Sequence, residues 1–237
     1  MHDLRTGSIG VSESLRKFVA EFPYEREPIL AFVMKAARAT PAGARVADVG
    51  AGDAPFRELF EHTRYATLDW AESVHEGAHS SDIVASADAI PVRDGAFDAV
   101  LLTQVLEHVP EPTRVLAELH RILAKGGTLY LTVPLVWELH EQPHDYYRYT
   151  AQGLRHLLET AGFSSVEVQP RNDCFTTLAQ LMQNVRWAMG TAPDGLDDRR
   201  ADAGRLLEEL ADQVAQLAPL DVQRILPLGY SAVGVRA

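Results

Sequence analysis

Two glycines and two carboxylates near the start of the chain have the types and order that a nucleotide-binding loop needs. The run Arg45–Phe56 begins as an apolar segment with an embedded acid, Asp48, and breaks at Gly50 and Gly52. Glycines suit this turn because a side chain would block both the tight turn and the close approach of a ligand. Asp69 ends the next apolar run, where a carboxylate can accept both hydroxyls of a ribose. The pattern predicts a cofactor loop between two strands; a tight turn without a ligand is the alternative.

The residues after the two glycines separate two classes of nucleotide cofactor. A dinucleotide site needs a third glycine, where the helix packs beneath a pyrophosphate. The chain has Asp53-Ala54-Pro55-Phe56 there, without that glycine and with an added negative charge. The charge repels a pyrophosphate but not a ligand that carries an amine and a sulfonium. An NAD-dependent oxidoreductase is therefore disfavoured, and the sequence also lacks the Tyr-x-x-x-Lys pair of short-chain dehydrogenases.

Several linked motifs resemble those of one family. The segment VADVGAGDAPF resembles the first motif of the class I S-adenosylmethionine-dependent methyltransferases, and the block LHRILAKGGTLYLTVP is similar to their fifth strand and the helix before it. The resemblance covers roughly residues 44–170 and the last strand. It implies S-adenosyl-L-methionine as cofactor and S-adenosyl-L-homocysteine as product. The implied cofactor-binding residues are Asp48, Gly50, Ala51, Gly52, Asp69, Trp70, Asp88, Ala89 and Gln104.

The resemblance also implies a role for each of the later cofactor residues. Asp88 accepts from the adenine amino group and the backbone amide of Ala89 donates to the ring. Gln104, the first residue past the fourth strand, contacts the methionine part. Trp70 packs either against the adenine or against the sheet, and the sequence leaves both alternatives open.

Three histidines are candidates for a catalytic base. His108 follows the fourth strand, so it belongs beside the reacting group at the carboxyl ends of the strands. An imidazole titrates near neutral pH and can take a proton from a substrate hydroxyl. The alternative is that Glu107 and His108 only brace a short helix. His140 and His144 follow in order of preference.

The most unusual composition lies at residues 137–150, with two histidines, three acids, three tyrosines and an arginine. His140 and His144 are four residues apart, but Pro143 makes an uninterrupted helix unfavourable, so we expect no metal. The segment resembles a methyltransferase branch that carries Pro-His-Asp-Tyr-Tyr-Arg-Tyr-Thr here and acts on small metabolites or sugars. We expect His140, His144 and Tyr146 to line the substrate pocket. The loop anchors and helix cap are expected to be Arg148, Tyr149 and Thr150.

Composition limits the class of partner. The chain has 237 residues, 46% of them hydrophobic, and a formal net charge of −11. An acidic chain without a run of Lys and Arg lacks the basic face that nucleic acid requires. The single Cys174 excludes an internal disulfide, and no segment approaches twenty apolar residues. We therefore expect a cytoplasmic protein with a small-molecule acceptor and no nucleic-acid or membrane partner.

The predicted architecture is a single α/β methyltransferase domain over 1–237. The resemblance implies a seven-stranded, Rossmann-like, mostly parallel sheet in the order 3-2-1-4-5-7-6, with an antiparallel last strand and helices on both faces. Residues 1–40 would form an N-terminal cap or lid, from which Tyr24 would face the substrate; an ordinary surface position for Tyr24 is the alternative. Residues 171–226 form a helical insertion between strands six and seven, serving equally as a lid or as a homodimer contact.

The resemblance implies methyl transfer by in-line displacement to a small acceptor, a secondary metabolite or a sugar, with oxygen slightly preferred over nitrogen or carbon. A second hypothesis keeps the fold and cofactor but uses them for a non-methylating reaction or for binding alone. Formation of the demethylated cofactor with a candidate acceptor separates these hypotheses.

Overall fold

A seven-stranded sheet forms the centre of the protein in the computed structural model, which describes residues 12–190 and 197–237. The strand order is β3-β2-β1-β4-β5-β7-β6, and β7 runs antiparallel to both β5 and β6. The sheet order predicted from the resemblance is therefore confirmed. The strands are β1 (Arg45–Val49), β2 (Arg64–Asp69), β3 (Ile83–Val84), β4 (Phe97–Thr103), β5 (Leu123–Pro134), β6 (Phe163–Arg171) and β7 (Gly229–Arg236).

Helices cover both faces of the sheet. Short 3₁₀ turns at Arg57–Phe60, Glu76–Ser80, Leu106–His108 and Ala218–Leu220 complete the connections. No helix within the two described ranges is long and apolar enough to span a membrane. The helices are α1 (Glu13–Glu21), α2 (Pro23–Ala39), α3 (Pro112–Ile122), α4 (Ala151–Thr160), α5 (Cys174–Gly190) and α6 (Asp197–Ala215).

The central strand β4 shows why the sheet is buried on both sides. Alternate residues of a strand point to opposite faces, so Val100 and Leu102 pack with α3 and α4 while Ala99 and Leu101 pack with α1 and α2. All four side chains are buried. A continuous apolar run is therefore needed here, as in other parallel sheets with helices on both faces.

Two element boundaries differ from those that the sequence indicates. The segment after the glycine loop favours a helix from about Pro55, but only the 3₁₀ turn Arg57–Phe60 forms there. Pro112 at a first turn and Lys125-Gly126-Gly127 at an end predict a helix from Pro112 to Ala124. That helix ends at Ile122, because Leu123 takes an extended conformation and pairs with Phe97, and the Lys125-Gly126-Gly127 segment lies within β5.

The insertion between β6 and β7 is helical, as predicted, but its buried face differs from the expected one. The spacing of Leu206, Leu207, Leu210, Val214 and Leu217 predicts one apolar stripe on a helix from Asp202 to Leu217, but α6 ends at Ala215, and Leu206, Leu210 and Leu217 are 64%, 40% and 43% exposed. Within the part of α6 whose burial is described, the buried residue is Ala211, which packs with Tyr24 and Ala179. The Ala-Pro-Asp-Gly-Leu-Asp-Asp run at 192–198, which predicts a linker between two helices, and the first eleven residues of the predicted lid fall wholly or largely outside the described residues. The lid and dimer roles stay predictions.

Candidate functional site

A cavity of about 420 Å³ opens at the carboxyl ends of β1, β2 and β4. This edge is where open α/β sheets bind ligands, since the strand order reverses between β1 and β4. Seven of the predicted cofactor and catalytic residues line the cavity: Gly50, Asp69, Trp70, Asp88, Gln104, His108 and His144. Tyr146, predicted to line the substrate pocket, lines it as well.

The loop after β1 is held by the acid at the end of β2. Asp69 accepts the backbone N–H of Gly52 at 2.7 Å through Oδ2 and the N–H of Trp70 at 2.8 Å through Oδ1. Gly50 has a φ of +70°, and a Cβ there would lie 2.3 Å from Val105 Cγ2. Only glycine fits this position, because both the conformation and the space exclude a side chain.

Asp48, the acid of the first motif, lies in β1 directly before the glycine loop. Its side chain is buried, and it accepts a hydrogen bond from the hydroxyl of Tyr65. Burial raises the pKa of Asp48 to about 7, against the opposing effect of the Tyr65 hydrogen bond. Within the described structure, neither Asp48 nor its neighbours Ala51 and Gly52 form part of the cavity wall.

Of the two residues predicted to bind adenine, Asp88 lines the cavity, whereas the Ala89 amide is already hydrogen-bonded within the protein. Asp88 lines the cavity and accepts from the Ser86 hydroxyl at 2.6 Å, with Arg114 Nη2 at 3.6 Å. The Ala89 amide instead donates to the Ser86 carbonyl at 3.1 Å, in a tight turn. In this conformation that amide is not available to an adenine ring.

Gln104 is turned towards the cavity by its backbone. Its φ is +54°, and its N–H donates to the Thr132 carbonyl at 3.0 Å. The side chain lies 2.9 Å from Thr132 Oγ1, and with the amide oriented to suit its neighbours it donates to Glu25 at 3.3 Å. Glu25 in turn pairs with the buried Arg171 at 3.3 Å. Gln104 therefore connects the cavity to a buried polar cluster.

The histidines form the opposite wall of the cavity. His144 packs edge to face on Trp70, with ring centroids 5.1 Å apart, and its Nδ1 lies 3.3 Å from the Tyr146 hydroxyl. His108 Nδ1 lies 2.8 Å from the His144 carbonyl, and burial lowers the pKa of His108. The His108 imidazole is therefore neutral at physiological pH. His140 stands behind His108, with ring centroids 4.6 Å apart, and does not reach the cavity.

Main-chain hydrogen bonds fix the loop that carries this wall. The carbonyl of Glu107 accepts the amides of Tyr146 and Tyr147 at 2.9 and 3.2 Å. Tyr149 donates its hydroxyl to the Leu106 carbonyl at 2.8 Å. As predicted, Thr150 caps α4 by accepting the N–H of Gly153.

The loop also carries the ion pair between Arg148 and Asp145, whose oxygen lies 2.6 Å from Nη1. This pair lowers the pKa of Asp145 to about 2. Arg148 Nη2 also donates to the Glu138 carbonyl at 2.8 Å, which agrees with the predicted anchoring role of this residue.

Sequence reasoning gave no place in the site to two acids of this region. The Glu107 side chain is completely buried, and burial raises its pKa to about 8. Glu141 lines the cavity and lies 3.6 Å from His75, which lowers the pKa of Glu141 and raises that of His75. Their position beside candidate histidines in the sequence was the available signal.

Tyr24, predicted to face the substrate, lies elsewhere. It belongs to α2 and is buried, and its hydroxyl donates to Asp212 of α6 at 3.2 Å. It lines a second cavity of about 940 Å³ between α2, β6 and α6. The structure therefore does not bring Tyr24 together with the other predicted substrate residues.

Comparison with known families decides the class of this site. A family model described as a methyltransferase domain matches residues 22–168. The chain belongs to the class I S-adenosylmethionine-dependent methyltransferases. S-adenosylmethionine is the cofactor of this methyltransferase, and the glycine loop, Asp69 and the cavity beside them fit it.

Individual relatives agree with this assignment over part of their length. The methyltransferase is 33% identical over 108 residues to a ubiquinone biosynthesis O-methyltransferase from Xanthomonas axonopodis pv. citri (strain 306). The match covers 40% of this chain and 45% of that relative, so the chain spans less than half of the curated relative it matches.

Solved structures share the fold of the methyltransferase. A SAM-dependent methyltransferase from Archaeoglobus fulgidus aligns with a TM-score of 0.58 and 17% identity, over 92% of this chain and 97% of that one. The [4+2]-cyclase SpnF aligns with a TM-score of 0.57 and 19% identity, over 88% and 81%. At these identities the likeness concerns the fold alone.

Proposed function

We propose that this methyltransferase methylates a hydroxyl oxygen of a small, neutral, ring-bearing acceptor, and that His144 takes the hydroxyl proton. The observation that carries the proposal is the placement of His144, between Trp70 and the Tyr146 hydroxyl in the cofactor cavity. Bound S-adenosylmethionine supplies a methyl group on a positively charged sulfur. The chain supplies position, proton removal and exclusion of water.

Geometry favours His144 over the other two candidate bases. The His108 ring is fixed at Nδ1 by the His144 carbonyl, and its Nε2 lies 3.9 Å from carboxylate oxygens of both Glu107 and Glu141. His140 does not line the cavity. His144 lines it and has a hydroxyl partner at one ring nitrogen, which leaves the other for an acceptor. This order differs from the sequence-based preference for His108.

The walls also favour an acceptor without negative charge. Among the described residues that line the cavity, four are acids and one, Arg114, is a permanent cation. An anionic acceptor would therefore be repelled. Trp70 and Tyr146 offer aromatic surfaces for a flat ring. A phenol fits both features, and the name of the Xanthomonas relative, an O-methyltransferase, agrees with oxygen as the methylated atom.

The test is S-adenosylhomocysteine release with catechol as the acceptor and veratrole, in which both oxygens are already methylated, as its matched control. We expect release with catechol above the veratrole level, and a loss of about 100-fold or more in kcat for His144→Asn. His156→Asn, an exposed histidine on α4, serves as control and should keep full activity. Equal release with both compounds would overturn the hydroxyl acceptor, and full activity of His144→Asn would overturn the base.

A further inference from the structure

Three side chains lie close together at the wall of the cavity that His108 and His144 form, and none of the three has a role in the proposed proton transfer. One of them is His108 itself. Glu107 and His108 come from the 3₁₀ turn after β4, and His140 comes from the loop after β5. One ligand atom of each residue lies within 4.8 Å of those of the other two. His108 Nε2 is 3.9 Å from Glu107 Oε1, and the two imidazole rings pack edge to face.

The Glu107 carboxylate is the unusual member of this cluster. It is 0% exposed, and neither oxygen has a hydrogen-bond partner among the residues that the structure describes. A buried polar group without a partner is costly, and a buried carboxylate stays ionised only where a positive charge or a metal ion balances it. The cluster offers Glu107 two imidazoles but no permanent cation, so a partner of positive charge is missing from it.

Hydrogen bonds hold the Nδ1 atoms of both imidazole rings and leave their Nε2 atoms free to bind a metal. His108 Nδ1 lies 2.8 Å from the His144 carbonyl, and His140 Nδ1 lies 3.2 Å from the Glu138 carbonyl. A carbonyl only accepts, so each ring carries its proton on Nδ1 and keeps the lone pair on Nε2. Carbonyl or carboxylate support of the second nitrogen is the usual arrangement around metal-binding histidines.

We propose that Glu107, His108 and His140 bind one divalent transition-metal ion, with Zn²⁺ as the best-fitting member of the class. Two imidazoles and one carboxylate form a recurrent zinc ligand set that leaves a fourth position open. Glu141 Oε2, 3.9 Å from His108 Nε2, is within reach of that position. Mg²⁺ and Ca²⁺ prefer oxygen ligands alone and fit this nitrogen-rich set less well.

The distances require only a small closure of the site. A tetrahedral zinc ion with bonds of about 2.0–2.1 Å holds its ligand atoms roughly 3.4 Å apart. The observed separations of 3.9 Å between Glu107 and His108, and of up to 4.8 Å over the set, exceed this value. Small side-chain rotations of both His108 and His140 would supply the difference.

The experiment is calorimetric titration of the chelator-treated full chain with ZnCl₂, without S-adenosylmethionine or acceptor. We expect one equivalent to bind with a micromolar or tighter Kd. His140→Gln and Glu107→Gln should each weaken binding at least tenfold. His156→Gln on α4 is the matched control for a surface histidine and should bind as the parent does. The titration measures metal binding without methyl transfer. A negative result would therefore reject the metal site and leave the proposed function intact.

Substitution of Co²⁺ provides a second measurement. We expect the intense visible bands of four-coordinate cobalt in the parent and their loss in His140→Gln. His140 lies in a loop and is partly exposed, so this variant decides the question even where Glu107→Gln does not fold. Absence of saturable binding, or unchanged binding in His140→Gln, would overturn the proposal. A loss in His156→Gln equal to that in His140→Gln would place the metal on surface histidines and overturn it too.

Discussion

The Asp69 carboxylate accepts the backbone N–H of Gly52 at 2.7 Å and thereby ties the end of β2 to the glycine loop after β1. The same side chain lines the cofactor cavity. One residue therefore both shapes the loop and faces the cavity.

Asp69→Ala should weaken S-adenosylmethionine binding by roughly 10- to 150-fold, as expected for losing hydrogen bonds to a charged group worth about 1.5–3 kcal/mol. Calorimetric titration measures the change. Glu72→Ala removes an exposed carboxylate three residues away and should leave the Kd unchanged. Equal affinities of the parent and Asp69→Ala would show that this carboxylate does not hold the cofactor.

Gly50→Ala should reduce cofactor binding more than its backbone strain alone explains, because the new Cβ would meet Val105 Cγ2 at 2.3 Å. Gly43→Ala is the matched control: its φ of +77° imposes similar strain, but no atom lies within 4 Å of its Cβ position. Val105→Ala should partly restore binding in Gly50→Ala. Similar losses in Gly43→Ala and Gly50→Ala would reject the steric explanation.

Asp48 should make the protein less stable as the pH rises. Its pKa is about 7 in the folded state and 3.8 as a free side chain, so between these values the folded state binds more protons. Asp48 should therefore lower the free energy of unfolding between about pH 4 and pH 7, by up to about 1.4 kcal/mol per pH unit. Glu107, whose pKa burial raises to about 8, contributes a slope of the same sign. Chemical denaturation of the parent and Asp48→Asn across this range should therefore show a smaller slope in the variant.

Asp98 should have the opposite effect to Asp48 on how the free energy of unfolding changes with pH. Hydrogen bonds from Arg45, one of them at 2.5 Å, lower the pKa of Asp98. Its contribution to stability is therefore present above the free-acid pKa and is lost as the pH falls below it. Asp98→Asn should lower stability at neutral pH and leave the Asp48 slope intact. An equal loss of slope in Asp48→Asn and Asp98→Asn would contradict the assignment to Asp48.

Arg171→Met should destabilise the fold by about 3–5 kcal/mol, because it leaves the buried Glu25 without its partner. Glu25→Gln in the same chain should recover part of this loss. The pair of Arg205 with Asp202, 67% and 74% exposed, is the control, and Arg205→Met should have little effect. Urea unfolding midpoints measure all three variants, and equal midpoints for Arg171→Met and Arg205→Met would contradict the expectation.

The sequence predicted the parts of the site that depend on main-chain pattern. Gly50 and Asp69 were found from an apolar run that breaks at glycines and from an acid that ends the next run. These features are local, because the turn and the strand end need particular residue types wherever they occur. The sheet order followed from the family resemblance and is confirmed.

The sequence did not predict relationships between distant segments. Tyr24 turns towards Asp212, 188 residues away, and His140 packs behind His108 instead of entering the cavity. The sequence did not show that Glu107 is buried, because the loop that covers it comes much later in the chain, after β5. Periodicity reports which side of an element is apolar, but not which segment covers it.

The amides of Tyr146 and Tyr147 donate to the Glu107 carbonyl, so these hydrogen bonds involve main-chain atoms only. The side chain at 146 can therefore be exchanged during evolution without releasing the backbone that presents it. Under the proposed function, with His144 retained as the base, we expect a lineage built on this frame to change the compound it methylates through substitutions at 146, while the loop keeps its shape. The same property makes position 146 the natural choice for a mutant library aimed at new acceptors.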